Sequence, residues 1–438
     1  MLEQRYISGE SAVKIARSIE AAVAAGRIAA GENLPPVRTL AKHLGVSGAT
    51  VSAAYRTLQH RGVTVADRRR GTRIRSTAHA APTPPPPPRS VRNLAEGNPD
   101  RALLPDLQRH LRGLGVKQRL YGNPLNHPEL VTIARRQFRA DRVPARDIAI
   151  VSGALDGIER VLREHLRPGD RVIVEDPCFT GVLDLVAALA LVPVPVAVDD
   201  EGMLPAALLR AMRGAQAIVV TPRAQNPTGA AMTQSRARRL RAILRTRPEL
   251  LLIEDDHAGR VAGAPYVTLV EPSRSRWSVV RSISKPLGPD LRVALLAGDS
   301  ATIGAVERRQ TIGIRWVSHI LQALVAALLE DRAVQHQLAV AEKTYAARRQ
   351  ALLRALASHG IEAHGKSGLN IWIPVADESA MIQSLFQAGW AVHAGESYRL
   401  ASGPAVRVTI SSLTAADAKR LARDVAGSMA TRGRSLAA

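Results

Sequence analysis

The sequence predicts a chain of two unlike parts, a small head of three helices with a β-hairpin and a larger α/β body of two lobes. In the head, apolar residues recur at helical spacing, and two short alternating segments follow them. In the body, short apolar and β-branched runs alternate with helical stretches, a pattern typical of a sheet covered on both faces by helices. A run of prolines separates the two patterns.

The proline run marks the predicted boundary between head and body. Residues 76–92 read STAHAAPTPPPPPRSVR, and proline continues neither a helix nor a central strand, so we expect an extended spacer. The predicted domains are a head at 1–77, a linker at 78–92, a large lobe at 93–330 and a small lobe at 331–438.

Charge is spread unevenly over these parts. The chain has 60 Lys plus Arg against 38 Asp plus Glu, a formal net charge of +22, and only seven of the basic residues are Lys. A codon bias toward Arg is one explanation of the surplus. Residues 1–80, however, hold 13 basic and 5 acidic residues, a denser positive charge than that of the body, and this favours a polyanionic partner for the head.

Cysteine content and hydropathy exclude several classes of protein. A single cysteine, Cys178, excludes an internal disulfide framework and any metal site built from several cysteines. The N-terminus has no uninterrupted apolar segment, and no stretch approaches the roughly 20 apolar residues of a membrane span. We therefore expect a cytoplasmic protein without a membrane partner.

Three helices and a hairpin are predicted in the head. The helices lie at 11–26, between 36 and 45, and from 47 to 62, each stopped by a glycine, and residues 63–75 form two alternating segments around a basic turn. Two helices joined by a tight glycine turn, the second with a polar face, are the helix-turn-helix arrangement that enters the major groove of DNA.

Residues 34–74, LPPVRTLAKHLGVSGATVSAAYRTLQHRGVTVADRRRGTRI, closely resemble the winged helix-turn-helix of GntR-type bacterial transcription regulators. The resemblance implies that double-stranded promoter DNA is the partner, that the third helix contacts it and that the hairpin enters the minor groove. A solvated basic surface is the alternative. The residues implied to contact DNA are Arg38, Ser47, Thr50, Ser52, Arg68, Arg69, Arg70, Gly71 and Arg73.

Two positions of the third helix depart from the family pattern. Members often carry a long polar residue at the places held here by Gly48 and Ser52, and neither of these can make a bidentate contact to guanine or adenine. We therefore expect more dependence on the arginines of the hairpin and on DNA shape.

The body carries strand-like segments in both lobes. Seven are predicted in the large lobe and two in the small lobe, at 148–151, 171–174, 191–194, 217–221, 250–254, 279–281, 293–297, 370–375 and 405–411. The alternation with helices indicates an α/β fold for both lobes.

Lys285 is the candidate for covalent chemistry. It is the only Lys between residues 118 and 342 and lies in the loop sequence RSISKPLGPDLRVA between two predicted strands. An amine flanked by hydroxyls and followed by Arg292 suits a Schiff base to an aldehyde that also carries a phosphate. A surface lysine in a loop is the alternative for this motif taken alone.

Other motifs precede Lys285 in a familiar order. They are VSGALDGI at 151–158, EDPCF at 175–179, NPTG at 226–229 and LLIEDDH at 251–257. Their order and spacing resemble the fold-type I, aspartate-aminotransferase-like proteins that bind pyridoxal 5′-phosphate (PLP), over residues from about 93 to 430.

The resemblance assigns roles to the matching residues. Lys285 would form the Schiff base, Phe179 would stack on the pyridine ring, Asp255 would pair with the pyridine nitrogen and Asn226 would donate to the phenolic oxygen. Asp256 remains the alternative to Asp255. The implied phosphate ligands are Ser152, Gly153, Ala154, Leu155, Ser282, Ser284 and Arg292.

Two further matches concern the partner subunit and the effector. Tyr121 would reach the phosphate of a neighbouring subunit, which implies a homodimer with shared sites, and Arg407 would bind the carboxylate of an amino compound. His257 replaces the tyrosine usual beside the phenolic oxygen, and Leu155 replaces a residue that is often polar. Binding of the cofactor is therefore safer to expect than turnover.

A GntR-type head joined to an aminotransferase-like body resembles the MocR subfamily of bacterial transcription regulators. We expect a nucleoid-associated regulator whose DNA binding responds to PLP, with or without an amino-compound effector, and whose genes concern vitamin B6 or amino-compound metabolism. A genuine aminotransferase of an α-amino acid with a regulatory head is the alternative, and whether any turnover survives stays open.

Overall fold

The computed structural model describes residues 6–29, 31–60, 63–67, 71–74, 87–88, 90–115 and 119–435. Two compact units make up the chain: one contains the head with the segments 167–170 and 184–192, and the other contains the rest of the body. The domain boundaries at 77, 92 and 330 stay predictions, and most of the proposed linker lies outside the described residues.

The three helices of the head match the predicted positions. Ile15, Ile19, Leu40, Val51 and Leu58 are fully buried, so each helix contributes its apolar face to one small core. The helices are α1 (Ala12–Ala24), α2 (Val37–Leu44) and α3 (Gly48–His60).

The turn between α2 and α3 explains the tight helix-turn-helix geometry. Gly45 ends α2 with a φ of 66°, a left-handed conformation that glycine adopts without a Cβ penalty. The Ser47 hydroxyl then caps α3 by accepting a hydrogen bond from the Thr50 N–H (3.1 Å). Strands β1 (Thr64–Asp67) and β2 (Gly71–Ile74) form the antiparallel hairpin expected after α3.

The strands of the body include every one that the sequence predicts, with short additional ones. They are β3 (Arg92–Asn93), β4 (Asp147–Val151), β5 (Arg171–Asp176), β6 (Val192–Asp199), β7 (Gly202–Met203), β8 (Ala217–Val220), β9 (Leu251–Asp256), β10 (Trp277–Ser282), β11 (Ala294–Gly298), β12 (Asn370–Pro374), β13 (Trp390–Ala391), β14 (His393–Ala394) and β15 (Ala405–Thr409).

The central sheet of the large lobe has the strand order β4-β11-β10-β9-β8-β5-β6-β7. The neighbouring pairs β5–β8, β8–β9 and β9–β10 are parallel, whereas β11 is antiparallel to both β10 and β4. Strands β8 to β11 are buried along their whole length, which explains why they read as continuous apolar runs.

Helices cover the sheets, and a second, smaller sheet of order β12-β15-β14 forms the small lobe. Strand β3 pairs in parallel with β13 of the small lobe. The helices are α4 (Leu107–Arg112), α5 (Pro128–Ala140), α6 (Ala154–His165), α7 (Thr180–Ala188), α8 (Pro205–Ala211), α9 (Gln234–Leu244), α10 (Ser284–Leu287), α11 (Ser300–Ile312), α12 (His319–Glu330), α13 (Arg332–Ala357), α14 (Glu378–Gln387) and α15 (Ala415–Ser435).

The predicted fold class, a helical head with a β-hairpin and an α/β body of two lobes, is confirmed. Among the described residues, no helix is both long and apolar enough to span a membrane.

The Asp176 carboxylate connects the two lobes. It lies at the end of β5 and accepts hydrogen bonds from the backbone N–H groups of residues 400–402 (2.8–2.9 Å).

Candidate functional site

Two loops meet at one edge of the central sheet and carry the predicted phosphate ligands. One follows β4, and the other joins β10 to β11. They are adjacent because Ala294, the first residue of β11, is paired with Val151 at the end of β4 and with Ser282 at the end of β10. The structure therefore brings the predicted residues of the two loops to the same edge of the sheet.

Arg292 lies directly against the loop after β4. Its Nη2 donates a hydrogen bond to the Ser152 carbonyl oxygen (3.2 Å), and a Cβ placed on Gly153 would lie 2.7 Å from the same nitrogen. Gly153 also has a φ of 103°, a backbone conformation that favours glycine. Helix α6 begins at Ala154, and its first N–H groups are left without helical partners beside the guanidinium.

Two apolar side chains border this loop. A Cβ placed on Gly181 would lie 2.7 Å from Phe179 Cε1 and 2.8 Å from Leu155 Cδ1, so these side chains meet at that point. Phe179 is half-buried, which leaves ring surface for a flat ligand to stack on. Leu155 departs from the family pattern only in its side chain. Its backbone N–H, in the first turn of α6, is still available to a ligand.

Asp255 lies on β9 of the central sheet, and its carboxylate forms no ion pair with any described residue. It is 3% exposed, and its Oδ1 has no hydrogen-bond partner among the described residues. Burial, with a contribution from the neighbouring charge of Asp256, raises the pKa of Asp255 to about 7. A buried carboxylate with an unsatisfied oxygen fits a ligand that brings a protonated nitrogen.

Asp256 has the opposite environment. Arg223 binds both of its oxygens (Nε to Oδ1 2.8 Å, Nη2 to Oδ2 2.9 Å), and Arg281 Nε donates to Oδ2 (2.7 Å). Burial alone would raise the pKa of Asp256, but the two guanidiniums outweigh it and hold that pKa far below its usual range. Successive residues of a strand face opposite sides of the sheet, so Asp255 and Asp256 serve different faces.

Lys285 is half-buried at the start of α10, with its amine held by backbone. Its Nζ donates a hydrogen bond to the Gly97 carbonyl oxygen (2.8 Å). Burial, together with the charge of Arg407, lowers the pKa of Lys285 to about 8. The neutral amine, which is the nucleophile in Schiff-base formation, is therefore a larger fraction at neutral pH than for a free lysine.

Arg407 on β15 is 3% exposed and packs with its guanidinium 5.0 Å from the centre of the Tyr398 ring. Its Nη1 donates to Asn226 Oδ1 (3.2 Å) and its Nη2 to the Ala95 carbonyl oxygen, whereas its buried Nε has no partner among the described residues. Asn226 Oδ1 also accepts from Asn370 Nδ2 (3.3 Å). Predicted cofactor and effector residues are thus in direct contact.

His257 is fixed by a neighbouring loop. Its Nε2 lies 2.7 Å from the Ala224 carbonyl oxygen, and since a carbonyl only accepts, this nitrogen carries the hydrogen. Burial, with the charge of Lys285, lowers the pKa of His257 to about 4. The ring is therefore neutral at physiological pH and leaves Nδ1 as an acceptor.

Tyr121 lies apart from these residues on the surface of its own chain. It is 78% exposed, with its ring edge-on to Trp316 (centroids 5.6 Å apart) and the Arg315 guanidinium 4.9 Å from its centre. This position neither completes the site of the same chain nor conflicts with a role in a partner.

The residues predicted to contact DNA differ in exposure and in whether their side chains are already hydrogen-bonded. Arg38 is exposed at the start of α2 and makes no side-chain hydrogen bond or ion pair with any described residue, and Arg73 is exposed on β2. The Ser47 and Thr50 hydroxyls are hydrogen-bonded to each other (2.8 Å), so part of the polar face of α3 is used for capping. Ser52 is half-buried, Gly71 begins β2, and Arg68, Arg69 and Arg70 lie outside the described residues.

Sequence reasoning missed the backbone that closes the site. Gly97 and Ala95 supply the carbonyl oxygens that hold Lys285 and Arg407, and Tyr398 and Asn370 complete the surroundings of Arg407. The turn-forming sequence EGNPD at 96–100 was the available signal, since such a segment places backbone groups rather than side chains near a site.

Two family models match the chain. Residues 11–74 match the bacterial regulatory proteins of the gntR family, and residues 89–425 match aminotransferase class I and II. The structure is also similar to a kynurenine aminotransferase of Pyrococcus horikoshii, with a TM-score of 0.71, 20% sequence identity and coverage of 78% of this chain and 91% of that one. The similarity to this solved structure shows the fold of the body.

Among curated relatives, the chain is 41% identical over 423 residues to the vitamin B6 salvage pathway transcriptional repressor PtsJ of Salmonella typhimurium, covering 96% of this chain and 98% of the relative. It is 27% identical to the pyridoxine biosynthesis transcriptional regulator PdxR of Corynebacterium glutamicum, covering 77% of this chain and 76% of that protein.

A gntR-type head fused to an aminotransferase-like body defines a class of bacterial transcription regulators that use a winged helix-turn-helix. The chain belongs to the MocR subfamily of this class, as its motifs suggested, and it is a transcription regulator with a body of the aminotransferase fold.

The unequal environments of the two aspartates predict opposite effects on stability. Asp256→Asn leaves two buried guanidiniums without their shared charge, and we expect it to cost about 3–5 kcal/mol of unfolding free energy. Asp255→Asn removes a buried charge that nothing neutralises, so we expect no loss at pH 7. Chemical denaturation of the cofactor-free protein measures both.

The same pair gives a pH test. The pKa of Asp255 is raised in the folded state, so its ionisation destabilises the fold as pH rises from its unfolded pKa, about 4, through the folded value of about 7. The stability advantage of Asp255→Asn over the wild type should therefore grow across that window. An advantage that does not change with pH would contradict the assignment.

Proposed function

We propose that this regulator binds PLP through a Schiff base on Lys285 and that the bound cofactor changes how the head binds promoter DNA. The observation that carries the proposal is the unsatisfied Oδ1 of Asp255, a buried carboxylate on β9 beside β10, the strand that leads to Lys285. A carboxylate of this kind fits a protonated pyridine nitrogen, and an amine of lowered pKa fits an aldehyde.

The other residues complete a set that fits this cofactor. Arg292, Gly153 and the N-terminus of α6 would hold the phosphate, with the hydroxyls of Ser282 and Ser284 beside them. Phe179 would stack on the ring, and Asn226 with neutral His257 would face the phenolic oxygen. When bound, PLP supplies an aldehyde for the lysine and a ring that withdraws electrons.

Asp255 is favoured over Asp256 as the residue for the pyridine nitrogen. Both oxygens of Asp256 already accept hydrogen bonds from Arg223 and Arg281, so a ligand nitrogen would have to displace a charged donor there. Asp255 has no such commitment, and its carboxylate gains a partner on binding.

One backbone segment, residues 95–97, contacts both the lysine proposed for the cofactor and the arginine proposed for the effector. Residues 95–97 are held at once by Lys285 and by Arg407, so a change at either side chain releases or tightens this segment. A Schiff base on Lys285 would leave its Nζ with fewer hydrogens to donate to the Gly97 carbonyl oxygen. An amino compound with a carboxylate would compete with Ala95 and Asn226 for Arg407.

We propose that the chain works as a homodimer with shared sites. Leu120 and Tyr121 are 74% and 78% exposed. The Tyr121 ring contacts Trp316, and Ile312 and Ile314, which precede Trp316 in the chain, are 79% and 51% exposed. Apolar side chains exposed in this density are typical of an interface, and the predicted role of Tyr121 in a partner's phosphate site needs it there.

PLP itself is the effector that we favour, and vitamin B6 metabolism is the regulated process that we favour. The support is the likeness to a vitamin B6 salvage repressor over almost the whole chain and to a pyridoxine biosynthesis regulator. The cytoplasm is the compartment that a DNA-bound regulator requires.

Lys285→Ala tests the cofactor site. The wild type mixed with PLP should show the absorbance band of a Schiff base, and borohydride should fix the cofactor to the protein, because Lys285 is the only lysine among the site residues described. The variant should show neither result in absorption and intact-mass spectra.

Lys343→Ala is the matched control, since Lys343 is exposed on α13. It should retain both the band and the borohydride adduct. Persistence of the adduct in Lys285→Ala, or its loss in Lys343→Ala, would reject Lys285 as the Schiff-base lysine.

Arg38→Ala tests the nucleic-acid interface of the head. An exposed arginine that no described residue binds, at the start of α2, suits a phosphate, so its loss should weaken binding to all DNA sequences about equally and reduce the slope of log affinity against log salt by about 1. Arg17→Ala, an equal loss of charge on α1, should leave the slope unchanged. A loss confined to one sequence would make Arg38 a base-reading residue instead.

A further inference from the structure

A second cavity lies on the face of the central sheet opposite Asp255. It measures about 1130 Å³ and is bordered by the end of α5, by α9, by the loop at 260–268 and by the junction of α12 and α13. We call it the rear cavity. None of the residues assigned to the cofactor in this chain lines it, so the proposed function leaves it unexplained.

The lining of the rear cavity is strongly basic. It contains seven arginines and only three acidic residues. Two acidic residues are already paired, Asp141 with Arg281 and Glu330 with Arg136. A cavity with this surplus, in a part of the chain where lysine is scarce, favours negative charge in its ligand.

Several of these arginines are free to bind a ligand. Arg142, Arg260 and Arg332 are exposed at the rim, and their side chains form no hydrogen bond or ion pair with any described residue. Arg241 is bound only to the carbonyl oxygen of Thr268, so its charge is not neutralised there. Together they present four guanidiniums around one space.

The inner wall is organised and partly apolar. Tyr266 is 7% exposed, and its ring centre lies 5.2 Å from the guanidinium carbons of both Arg223 and Arg281. Pro265, Val267 and Leu329 also line the cavity. A wall with a fixed aromatic ring and apolar neighbours suits the organic part of a small molecule.

We propose that the rear cavity is a second binding site, for a small organic polyanion that carries phosphate or carboxylate groups. Its volume of about 1130 Å³ is slightly larger than the roughly 300–1,000 Å³ usual for sites of small molecules. Arginine forks bind either anionic group in bidentate fashion, so the shared chemistry is at least two negative charges on a compact molecule.

Two residues of the rear cavity bind the aspartate next to Asp255 in the sequence. Arg223 and Arg281 line it and also bind Asp256, which adjoins Asp255 in β9. An anion in the cavity would draw on the same two guanidiniums. Occupancy of the two faces is therefore linked, and each ligand changes the affinity for the other by the same factor.

Calorimetric titration of the full-length protein tests the proposal, with inorganic pyrophosphate and citrate as separate probes. At least one probe should bind, and the double variant Arg260→Ala/Arg332→Ala should weaken that binding by about tenfold or more, since two charged hydrogen-bond donors are lost. The probe that binds identifies the phosphate or the carboxylate class. Both arginines are exposed and unpaired among the described residues, so the variant should keep its unfolding midpoint.

Matched controls separate this site from other basic surfaces. Arg238→Ala/Arg239→Ala removes two exposed charges from α9 outside the cavity and should leave probe binding unchanged. Arg292→Ala should also retain it, because Arg292 belongs to the cofactor face. Failure of both probes to bind, equal loss in the two double variants, or loss in Arg292→Ala alone would overturn the proposal.

DNA is the competing occupant of a basic surface. Without any probe present, Arg260→Ala/Arg332→Ala should bind promoter DNA with wild-type affinity and wild-type salt slope. A weaker affinity with a reduced slope would show that these arginines contact DNA, and the small-molecule site would be rejected.

Discussion

The arrangement of the site depends on the unequal pairing of the two aspartates at the end of β9. Strand β9 ends in two adjacent aspartates, and the pair Arg223 and Arg281 neutralises only Asp256. The two carboxylates face opposite sides of the sheet. The ion pairs of Asp256 therefore lie on one face, and Asp255 is buried on the other with an oxygen that has no hydrogen-bond partner among the described residues. A site that stores an uncompensated charge is unfavourable for the empty protein and favourable for a ligand that supplies the opposite charge.

The rest of the site is arranged around that charge by backbone rather than by side chains alone. The Gly97 carbonyl holds the Lys285 amine, and the Ala95 carbonyl holds Arg407, so one short segment contacts the residues proposed for cofactor and for effector. Asp176 joins the large lobe to residues 400–402 of the small lobe. The proposed regulation would act through these backbone contacts, because residues 95–97 are bound by both Lys285 and Arg407.

Much of this could be predicted from the sequence because its signals are local. The strands of the large lobe are apolar runs, the helices of the head end at glycines such as Gly45, and Lys285 is conspicuous in a chain with seven lysines. The sequence assigned Asp255 by resemblance but left Asp256 open, because the difference between their environments depends on arginines 33 and 25 residues away from Asp256 in the chain. The role of Gly97 was missed for the same reason, since a carbonyl 188 residues from Lys285 leaves no side-chain signal. The roles of Arg68, Arg69 and Arg70 stay predictions.

The proposed cofactor acts on DNA binding through Lys285. The most direct measurement is the affinity of the full-length protein for the DNA upstream of its own gene, titrated with PLP alone, for the wild type and for Lys285→Ala. PLP should change the affinity of the wild type and leave that of the variant unchanged. An affinity that PLP changes equally in both proteins, or that responds in the wild type only after an amino compound is added, would contradict the account.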